Sequence, residues 1–197
     1  ITTALAESRA RAFEQLRGHE ATRFKDPMDA LRAMVSQLES SEDLFADAIA
    51  VLGAIPVANA LWAARQRDED ATAPSLEVDR ARDYSRMLLG RDPGEARARA
   101  LSTYLITVSD HGMNASTFAA RVIASTQSDL VASLVGAIGA LKGPLHGGAP
   151  GPVLDMLDAI GEPARAEAWL RAELEAGRRV MGMGHRVYRV RDPRAAI

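Results

Sequence analysis

The sequence predicts an all-α fold. Alanine and leucine are abundant, aromatic residues make up only 5% of the 197 positions, and runs of β-branched residues are few. Alanine and leucine are among the best helix formers, whereas strands favour β-branched and aromatic residues. Apolar residues also recur at i, i+3 and i+4, which places them on one face of a helix. These observations together predict helices packed around a core.

The clearest predicted helix begins at Asp26 and Pro27. An aspartate before a proline is a common helix start, because the carboxylate caps free N–H groups and proline fixes φ. The apolar face of this helix is formed by Met28, Leu31, Met34, Val35 and Leu38.

A second apolar run starts at Ser41. We expect Gly53 and Pro56 to break it, since proline removes a helical hydrogen bond, before a helix resumes over residues 58–67. The polar stretch 67–74 predicts a loop. Further helices are predicted over residues 75–89, 93–108, 115–125, 130–141, 153–160 and 163–176.

Glycines mark the places where we expect close contacts. Gly136 and Gly139, one turn apart in a predicted helix, let another backbone approach, either in the core or at a subunit interface. Later the chain contains two glycine-rich segments, GPLHGGAPGP and VMGMGHRVYRVRDPR. Glycine leaves backbone groups accessible to a ligand, so function should concentrate there. We predict a larger helical domain over residues 1–145 and a smaller, incomplete domain over 146–197.

Composition excludes several classes of function. A net charge of −2 provides no field that attracts nucleic acid or an anionic membrane. No uninterrupted apolar run reaches the roughly 18 residues of a membrane helix, and the first residues, ITTALAESRARAF, lack the apolar core of a signal peptide. Without cysteine, disulfides, thiolate catalysis and Cys-ligated zinc are excluded. We expect a cytoplasmic chain without nucleic-acid or membrane partners.

Four histidines are candidates for chemistry. His19 lies in the charged stretch RGHEATR and is interpreted as a solvated residue without a role. His111 lies in VSDHGMNAST, where it can converge with Asn114 and Ser116 on an oxygen-rich ligand. A helix-capping or packing role explains that segment equally well.

The other two histidines lie among glycines. His146 is followed by two glycines, and His185 follows the sequence Gly-Met-Gly, so we favour function over packing for both. A metal site built from His111, His146 and His185 is a weaker alternative. No HxxxH or HxxE spacing supports it, and arginines nearby would repel a cation.

Three segments, in this order and spacing, are similar to citrate synthases and 2-methylcitrate synthases: DHGMNASTFAARV, GALKGPLHGGAP and GMGHRVYRVRDPR. A fourth, FKDPMDALRAMVSQL, resembles the hPMdxLR region of that family, so the resemblance covers nearly all of the chain. The resemblance implies a citrate synthase-like arrangement with a large helical domain that forms a homodimer. It also implies a small, mobile domain that binds CoA.

The resemblance implies roles for individual residues. His111, His185 and Arg194 would bind oxaloacetate, since a planar guanidinium suits a carboxylate and imidazoles can donate to its oxygens. His185 would polarise the keto carbonyl, and His146 would hydrogen-bond the thioester oxygen as the enol develops. His146 and His185 are therefore the expected catalytic residues. The expected contacts to CoA come from Arg189, Gly182, Met183 and Gly184.

The implied reaction joins acetyl-CoA to oxaloacetate and hydrolyses the thioester to citrate and CoA, the first step of the tricarboxylic acid cycle, without metal or cofactor. It needs a carboxylate base. In the family, that aspartate and further arginines follow the GHR segment by a longer stretch than the three residues that come after Arg194 here. No residue of this chain is therefore matched to the base, and Asp192 is not that base. The chain begins at Ile1 rather than Met, and we expect it to be partial. Pro150 replaces an asparagine that many members carry after HGGA.

Two alternative functions stay open. A 2-methylcitrate synthase would use propionyl-CoA, because one methylene in an apolar pocket changes selectivity by only roughly 1–3 kcal/mol. A non-catalytic helical fragment would keep affinity for the oxo acid or CoA, or only the dimer surface, without chemistry. The unmatched base favours this second alternative.

Overall fold

The computed structural model describes residues 1–109, 112–147, 150–183, 189–192 and 194. These residues form α-helices and two short 3-10 helices, with no strand among them, which confirms the all-α prediction. The α-helices are α1 (Thr2–Leu16), α2 (Pro27–Val35), α3 (Leu44–Gln66), α4 (Arg80–Leu89), α5 (Glu95–Thr107), α6 (Ala115–Ala124), α7 (Leu130–Leu141), α8 (Pro150–Ile160) and α9 (Ala166–Glu175). The 3-10 helices cover Glu20–Arg23 and Pro163–Arg165.

The chain divides into two compact units. The first unit is Ile1–Ala140 and the second is Leu141–Ile197. We predicted a dimer-forming domain over residues 1–145 and a CoA-binding domain over residues 146–197. These domain assignments stay a prediction.

The centre of the first unit is α3. It contacts α1, α2, α4 and the 3-10 helix Glu20–Arg23. By length and composition α3 is apolar enough to cross a membrane, but 56% of its 18-residue apolar stretch is buried inside the protein. We therefore assign α3 as the core helix of this unit. The large hydrophobic side chains that are completely buried in the unit are Leu16, Met34, Val35, Val57 and Met87.

The predicted break in α3 is wrong, because the helix runs through Gly53 and Pro56. A proline inside a helix costs about 3 kcal/mol, but Pro56 is buried next to the fully buried Val57 and Ala58, and burial of apolar surface offsets that penalty. Gly53 is the point where α1 crosses α3. A Cβ at Gly53 would lie 2.7 Å from the Cβ of Ser8, and the Ser8 hydroxyl donates to the carbonyl of Ile49 at 2.9 Å.

Side-chain caps set the starts of several helices. The Asp26 carboxylate accepts the N–H groups of Met28 and Asp29 at 2.8 and 3.0 Å, which confirms the predicted start of α2. Asp43 and Asp79 cap α3 and α4 in the same way. Each cap satisfies N–H groups that have no partner within the helix.

The start of α4 was predicted too early, at Ser75. The N–H of Ser75 donates to Oδ1 of Asp83 at 3.0 Å, and its carbonyl accepts from Arg9 at 3.3 Å. These tertiary bonds hold Ser75 in a loop, so the helix begins only after Asp79. A contact with a distant residue thus overrides the local helical pattern.

The later helices agree with the predictions apart from their ends. α5 begins at Glu95 after Gly94, whose φ of +78° is outside the helical region. α8 begins at Pro150 instead of residue 153, because proline is tolerated in a first helical turn. The predicted helix 163–176 is divided into the 3-10 helix Pro163–Arg165 and α9.

The glycines of α7 differ from each other. A Cβ at Gly136 would collide with the end of the Ile123 side chain from α6. Within this chain, the group that packs closely against Gly136 is therefore a side chain, whereas we predicted the backbone of another helix. A Cβ at Gly139 would meet nothing within 4 Å in the described structure. Of these two glycines of α7, Gly136 is therefore the one that permits a close contact within the described first unit.

The sequence pattern did not identify α1. Its buried face mixes small and polar residues with apolar ones, so its hydrophobic periodicity is weak. The buried residues of α1 are Ala6, Ser8, Arg9, Ala12, Phe13 and Leu16.

Candidate active site

His146 lies in a tight turn directly after α7. Its N–H donates to the carbonyl of Gly143 at 2.9 Å, and the N–H of Gly147 donates to the carbonyl of Leu141 at 3.0 Å. The imidazole is half-buried, whereas the neighbouring Leu145 is fully exposed. The backbone of this turn is therefore held at both ends while the histidine stays reachable from outside.

Gly147 has to be glycine for this turn to form. A Cβ there would collide with the carbonyl oxygen of Leu141, and it would lie 2.6 Å from Cδ1 and 2.8 Å from Cγ of the same residue. Because a backbone oxygen cannot move aside as a flexible side chain does, any larger residue shifts the turn. The glycine pattern around His146 thus has a specific geometric cause.

The segment before His185 contacts α8. Gly182 has a φ of +80°, a conformation that favours glycine, and a Cβ there would lie 3.5 Å from Cγ2 of Val153. Gly182 and Met183 are exposed, as is Arg189 beyond them. Their exposure is compatible with binding a ligand through backbone groups and a guanidinium, the kind of contact predicted for CoA.

An ion pair holds the chain where it leaves α9. Nε and Nη2 of Arg178 donate to the two carboxylate oxygens of Glu173 at 2.7 and 2.6 Å. The hydrogen bond from Arg178 holds the pKa of the Glu173 carboxyl below its usual value, and the same bond raises the pKa of Arg178. Gly177, with a φ of +69°, ends the helix between them. The pair thus joins the last turn of α9 to the residue that follows Gly177.

Arg194 is oriented by Asp192. Nη2 of Arg194 lies 2.7 Å from Oδ2 of Asp192, and Nε lies 3.1 Å from Oδ1. The backbone N–H of Arg194 donates to the same carboxylate at 2.9 Å. Both side chains are about one-quarter exposed, at 28% and 27%. A bidentate pair of this kind fixes the plane of a guanidinium that could also face a carboxylate ligand.

The segment around His111 is described on both sides of that residue. Asn114 caps α6, since its Oδ1 accepts from the N–H of Thr117 at 2.9 Å and from the hydroxyl of Ser116 at 2.7 Å. Gly112 has a φ of +63°. Asn114 is therefore the cap of α6, and the choice between binding, capping and packing for His111 itself stays open.

Three of the predicted site residues, His111, Gly184 and His185, lie outside the described residues, so their expected roles stay predictions. Within the part of the chain that the structure describes, no group of three His, Asp or Glu side chains is arranged to hold a metal ion. The alternative metal site depends on His111 and His185 and is therefore not tested.

His19 has a structural role that the sequence did not reveal. Its Nδ1 accepts the N–H of Ala21 at 3.1 Å, and its carbonyl accepts the hydroxyl of Thr22 at 2.8 Å. It therefore caps the 3-10 helix Glu20–Arg23. Histidine is an uncommon cap, so the sequence carried no clear signal for this role.

The chain belongs to the citrate synthase family. The family profile described as "Citrate synthase, C-terminal domain" matches residues 2–197. A citrate synthase from Deinococcus radiodurans is 41% identical over 180 residues, which cover 87% of this chain and 48% of that protein. A 2-methylcitrate synthase from Mycobacterium tuberculosis is also 41% identical, over 85% of this chain and 44% of that protein. The chain thus spans about half the length of these relatives.

Solved structures agree with this assignment. The citrate synthase from Thermotoga maritima has a TM-score of 0.78 and 36% identity, covering 99% of this chain and 53% of that one. A ternary complex of carboxymethyl coenzyme A and oxaloacetate with the citrate synthase from Thermoplasma acidophilum has a TM-score of 0.75 and 29% identity. That likeness covers 98% of this chain and 54% of the solved one. The family resemblance inferred from the sequence motifs is confirmed.

Proposed function

We propose that this chain contributes to a citrate synthase that condenses acetyl-CoA with oxaloacetate and releases citrate and CoA. The observation that carries the proposal is the glycine turn that holds His146 half-buried with its backbone closed against Leu141. Family membership supports it, and so does the solved citrate synthase in complex with carboxymethyl coenzyme A and oxaloacetate.

In the proposed reaction, His146 donates a hydrogen bond to the thioester oxygen of acetyl-CoA. A base removes a proton from the α-carbon, and the negative charge that develops on the oxygen is stabilised by this bond. No residue of this chain is assigned as that base. The α-carbon then forms a bond to the keto carbon of oxaloacetate, while His185 donates a proton to the keto oxygen. Water finally cleaves the thioester and releases CoA as the thiol.

Arg194 is proposed to bind a carboxylate of oxaloacetate, together with His111 and His185. The bidentate contact with Asp192 holds the guanidinium in one plane, which lowers the entropy lost on binding. Arg189 and the backbone of residues 182–184 are proposed to bind CoA. The exposure of Gly182, Met183 and Arg189 supports this part of the proposal.

The proposal is tested by replacing Arg194. We expect Arg194→Ala to weaken oxaloacetate binding about tenfold or more, measured by calorimetric titration, because a charged hydrogen bond to the ligand is lost. Arg194→Lys should restore little, since an ammonium cannot form the bidentate contact. Arg165→Ala, at an exposed arginine of the same unit, is the matched control. Unchanged affinity in Arg194→Ala would contradict the assignment.

A second candidate is a 2-methylcitrate synthase that uses propionyl-CoA. It is favoured by the Mycobacterium tuberculosis relative, which is as similar to this chain as the citrate synthase from Deinococcus radiodurans is. Turnover with acetyl-CoA and propionyl-CoA at matched concentrations separates the two. Binding of oxaloacetate and CoA without turnover would instead support the non-catalytic alternative.

We also propose that two copies associate through α5 and α6. In the first unit these helices bury few residues, and several of their large apolar side chains are at least half exposed. Burying such a surface is favourable, and symmetric dimers are the commonest oligomers. Sedimentation of wild type and Phe118→Glu tests this, with the variant expected to be monomeric. The exposed side chains are Tyr104, Ile106, Phe118 and Val122.

A further inference from the structure

The inward side of α8 meets the glycine-rich segment that precedes His185. A Cβ placed on Gly182 would lie 3.5 Å from Cγ2 and 3.8 Å from Cγ1 of Val153, so the two methyl groups face the Gly182 backbone. Val153 is half-buried, whereas Leu154 and Leu157 of the same helix are 63% and 53% exposed. The Val153 side of α8 is therefore the one in contact with this segment.

The same helix follows the His146 turn. Gly147 is closed against the carbonyl of Leu141, and α8 begins shortly afterwards at Pro150. Prolines at positions 150 and 152 restrict φ in the first turn of α8. This turn, which leads to Val153, therefore has fewer accessible backbone conformations. Val153 is thus a contact point between the segment that continues from His146 and the segment that contains Gly182.

Valine is suited to act as a spacer at this point. A β-branched side chain has one strongly preferred χ1 rotamer in a helix, so its two methyl groups have a defined width. Among the described residues of the second unit, Ile160 is the buried hydrophobic side chain, at 8% exposure. With so little buried core, the position of the Gly182 segment depends strongly on individual contacts such as this one.

We propose that Val153 is a positioning residue that sets the spacing between the His146 turn and the Gly182 segment. This inference rests on the proposed function, in which His146 contacts the thioester oxygen and the Gly182 segment binds CoA. Both groups would contact one substrate molecule, so their separation has to match the distance between the thioester and the nucleotide part of CoA. A wider or narrower spacer would misalign the thioester relative to His146.

The test combines a binding measurement with a local structural one. Titration of CoA in the presence of oxaloacetate is expected to show binding by Val153→Ala weakened roughly five- to tenfold, because the gap lets the Gly182 segment shift. Val153→Ile keeps both branch carbons and should stay within about twofold of wild type. Leu154→Ala removes an exposed side chain from the same turn and should bind CoA like wild type. Circular dichroism should show equal helix content in all four proteins.

The amide resonance of Gly182 decides the inference separately from the proposed function. Val153→Ala should shift this resonance in the absence of any ligand, and Leu154→Ala should leave it in place. An unshifted Gly182 resonance, wild-type affinity in Val153→Ala, or an equal loss in Val153→Ile would each overturn the positioning role. If wild type itself does not bind CoA, the proposed function fails, and the Gly182 resonance alone then tests the contact.

Discussion

Arg9 of α1 and Asp83 of α4 form a buried ion pair, with Nε of Arg9 2.8 Å from Oδ2 of Asp83 and side chains 3% and 0% exposed. The other oxygen of Asp83 accepts from Arg86 at 2.9 Å and from the N–H of Ser75 at 3.0 Å. Nearby, burial and the charge of Arg9 lower the pKa of Arg80. Asp83 thus compensates the charges of Arg9 and Arg86 where α1 meets α4.

Replacing Asp83 by asparagine should strongly destabilise the first unit. We expect the free energy of unfolding to fall by about 3–5 kcal/mol, because Arg9 would remain buried without its countercharge. Urea unfolding followed by circular dichroism measures the loss. Asp92→Asn, which removes an acidic partner of Arg82 from an ion pair whose side chains are 37% and 56% exposed, is the control and should have a small effect. Similar losses in the two variants would contradict a special role for the buried pair.

The crossing of α1 and α3 should not tolerate a side chain at Gly53. A Cβ there would lie 2.8 Å from the backbone carbon of Ser8. Gly53→Ala should therefore lower stability by about 1–3 kcal/mol through overpacking. Gly139→Ala makes the same change in a helix where the added Cβ meets nothing within 4 Å. That control should raise stability by roughly 0.5–1 kcal/mol. A stabilising Gly53→Ala would show that the helices separate easily.

Asp47 should make stability depend on pH in the acid range. Hydrogen bonds from the Ser40 side chain, and then from the side chain and N–H of Ser41, lower the pKa of Asp47 below 3.8. Because the pKa is lower in the folded state, the stabilisation is complete above the unfolded value and is lost as pH falls through the folded one. The difference in unfolding free energy between wild type and Asp47→Asn should therefore shrink below about pH 3.8.

The control for this prediction is Glu42→Gln, an exposed carboxyl in the same loop. Because this side chain is exposed, Glu42→Gln should have only a small effect on the unfolding free energy. A wild-type to Asp47→Asn difference that stays constant down to the acid limit would show that the serine hydrogen bonds do not favour the ionised form. Urea titrations at a series of pH values provide both comparisons.

Gly147→Ala should displace His146 without unfolding the protein. The new methyl group would collide with the Leu141 carbonyl, so the turn has to open. We expect the ring resonances of His146 to shift and CoA binding with oxaloacetate to weaken, while helix content is retained. Gly151→Ala is the matched control, since a Cβ there meets nothing within 4 Å. Unchanged His146 resonances in Gly147→Ala would show that the turn accommodates a methyl group at this position without moving.

Local chemistry explains which elements were predictable. The capped start of α2 at Asp26 and the bounds of α7 agree with the sequence because each depends on neighbouring residues. The continuous α3 was not predictable, since its interior proline is tolerated only in a packed core. α1 was missed because its buried face contains Arg9, whose partner Asp83 is distant in sequence.

The candidate site shows the same division. Its motifs identified the family and the glycine segments, but Val153 carries no motif and emerged only from its contact with Gly182. Likewise, the sequence contained Asp192 and Arg194 without indicating that they form a bidentate pair. The expected roles of His111 and His185 stay predictions, as does the cytoplasmic location.

By itself the sequence determined the helical class, most helix positions and the family, because helix propensity, caps and ordered motifs are properties of short segments. The tertiary structure decided the continuity of α3, the late start of α4, the Arg9–Asp83 pair and the contact of Val153 with Gly182. Each of these depends on atoms that are far apart in the chain and become neighbours only when the helices pack, so the energy that selects them is absent from any local pattern.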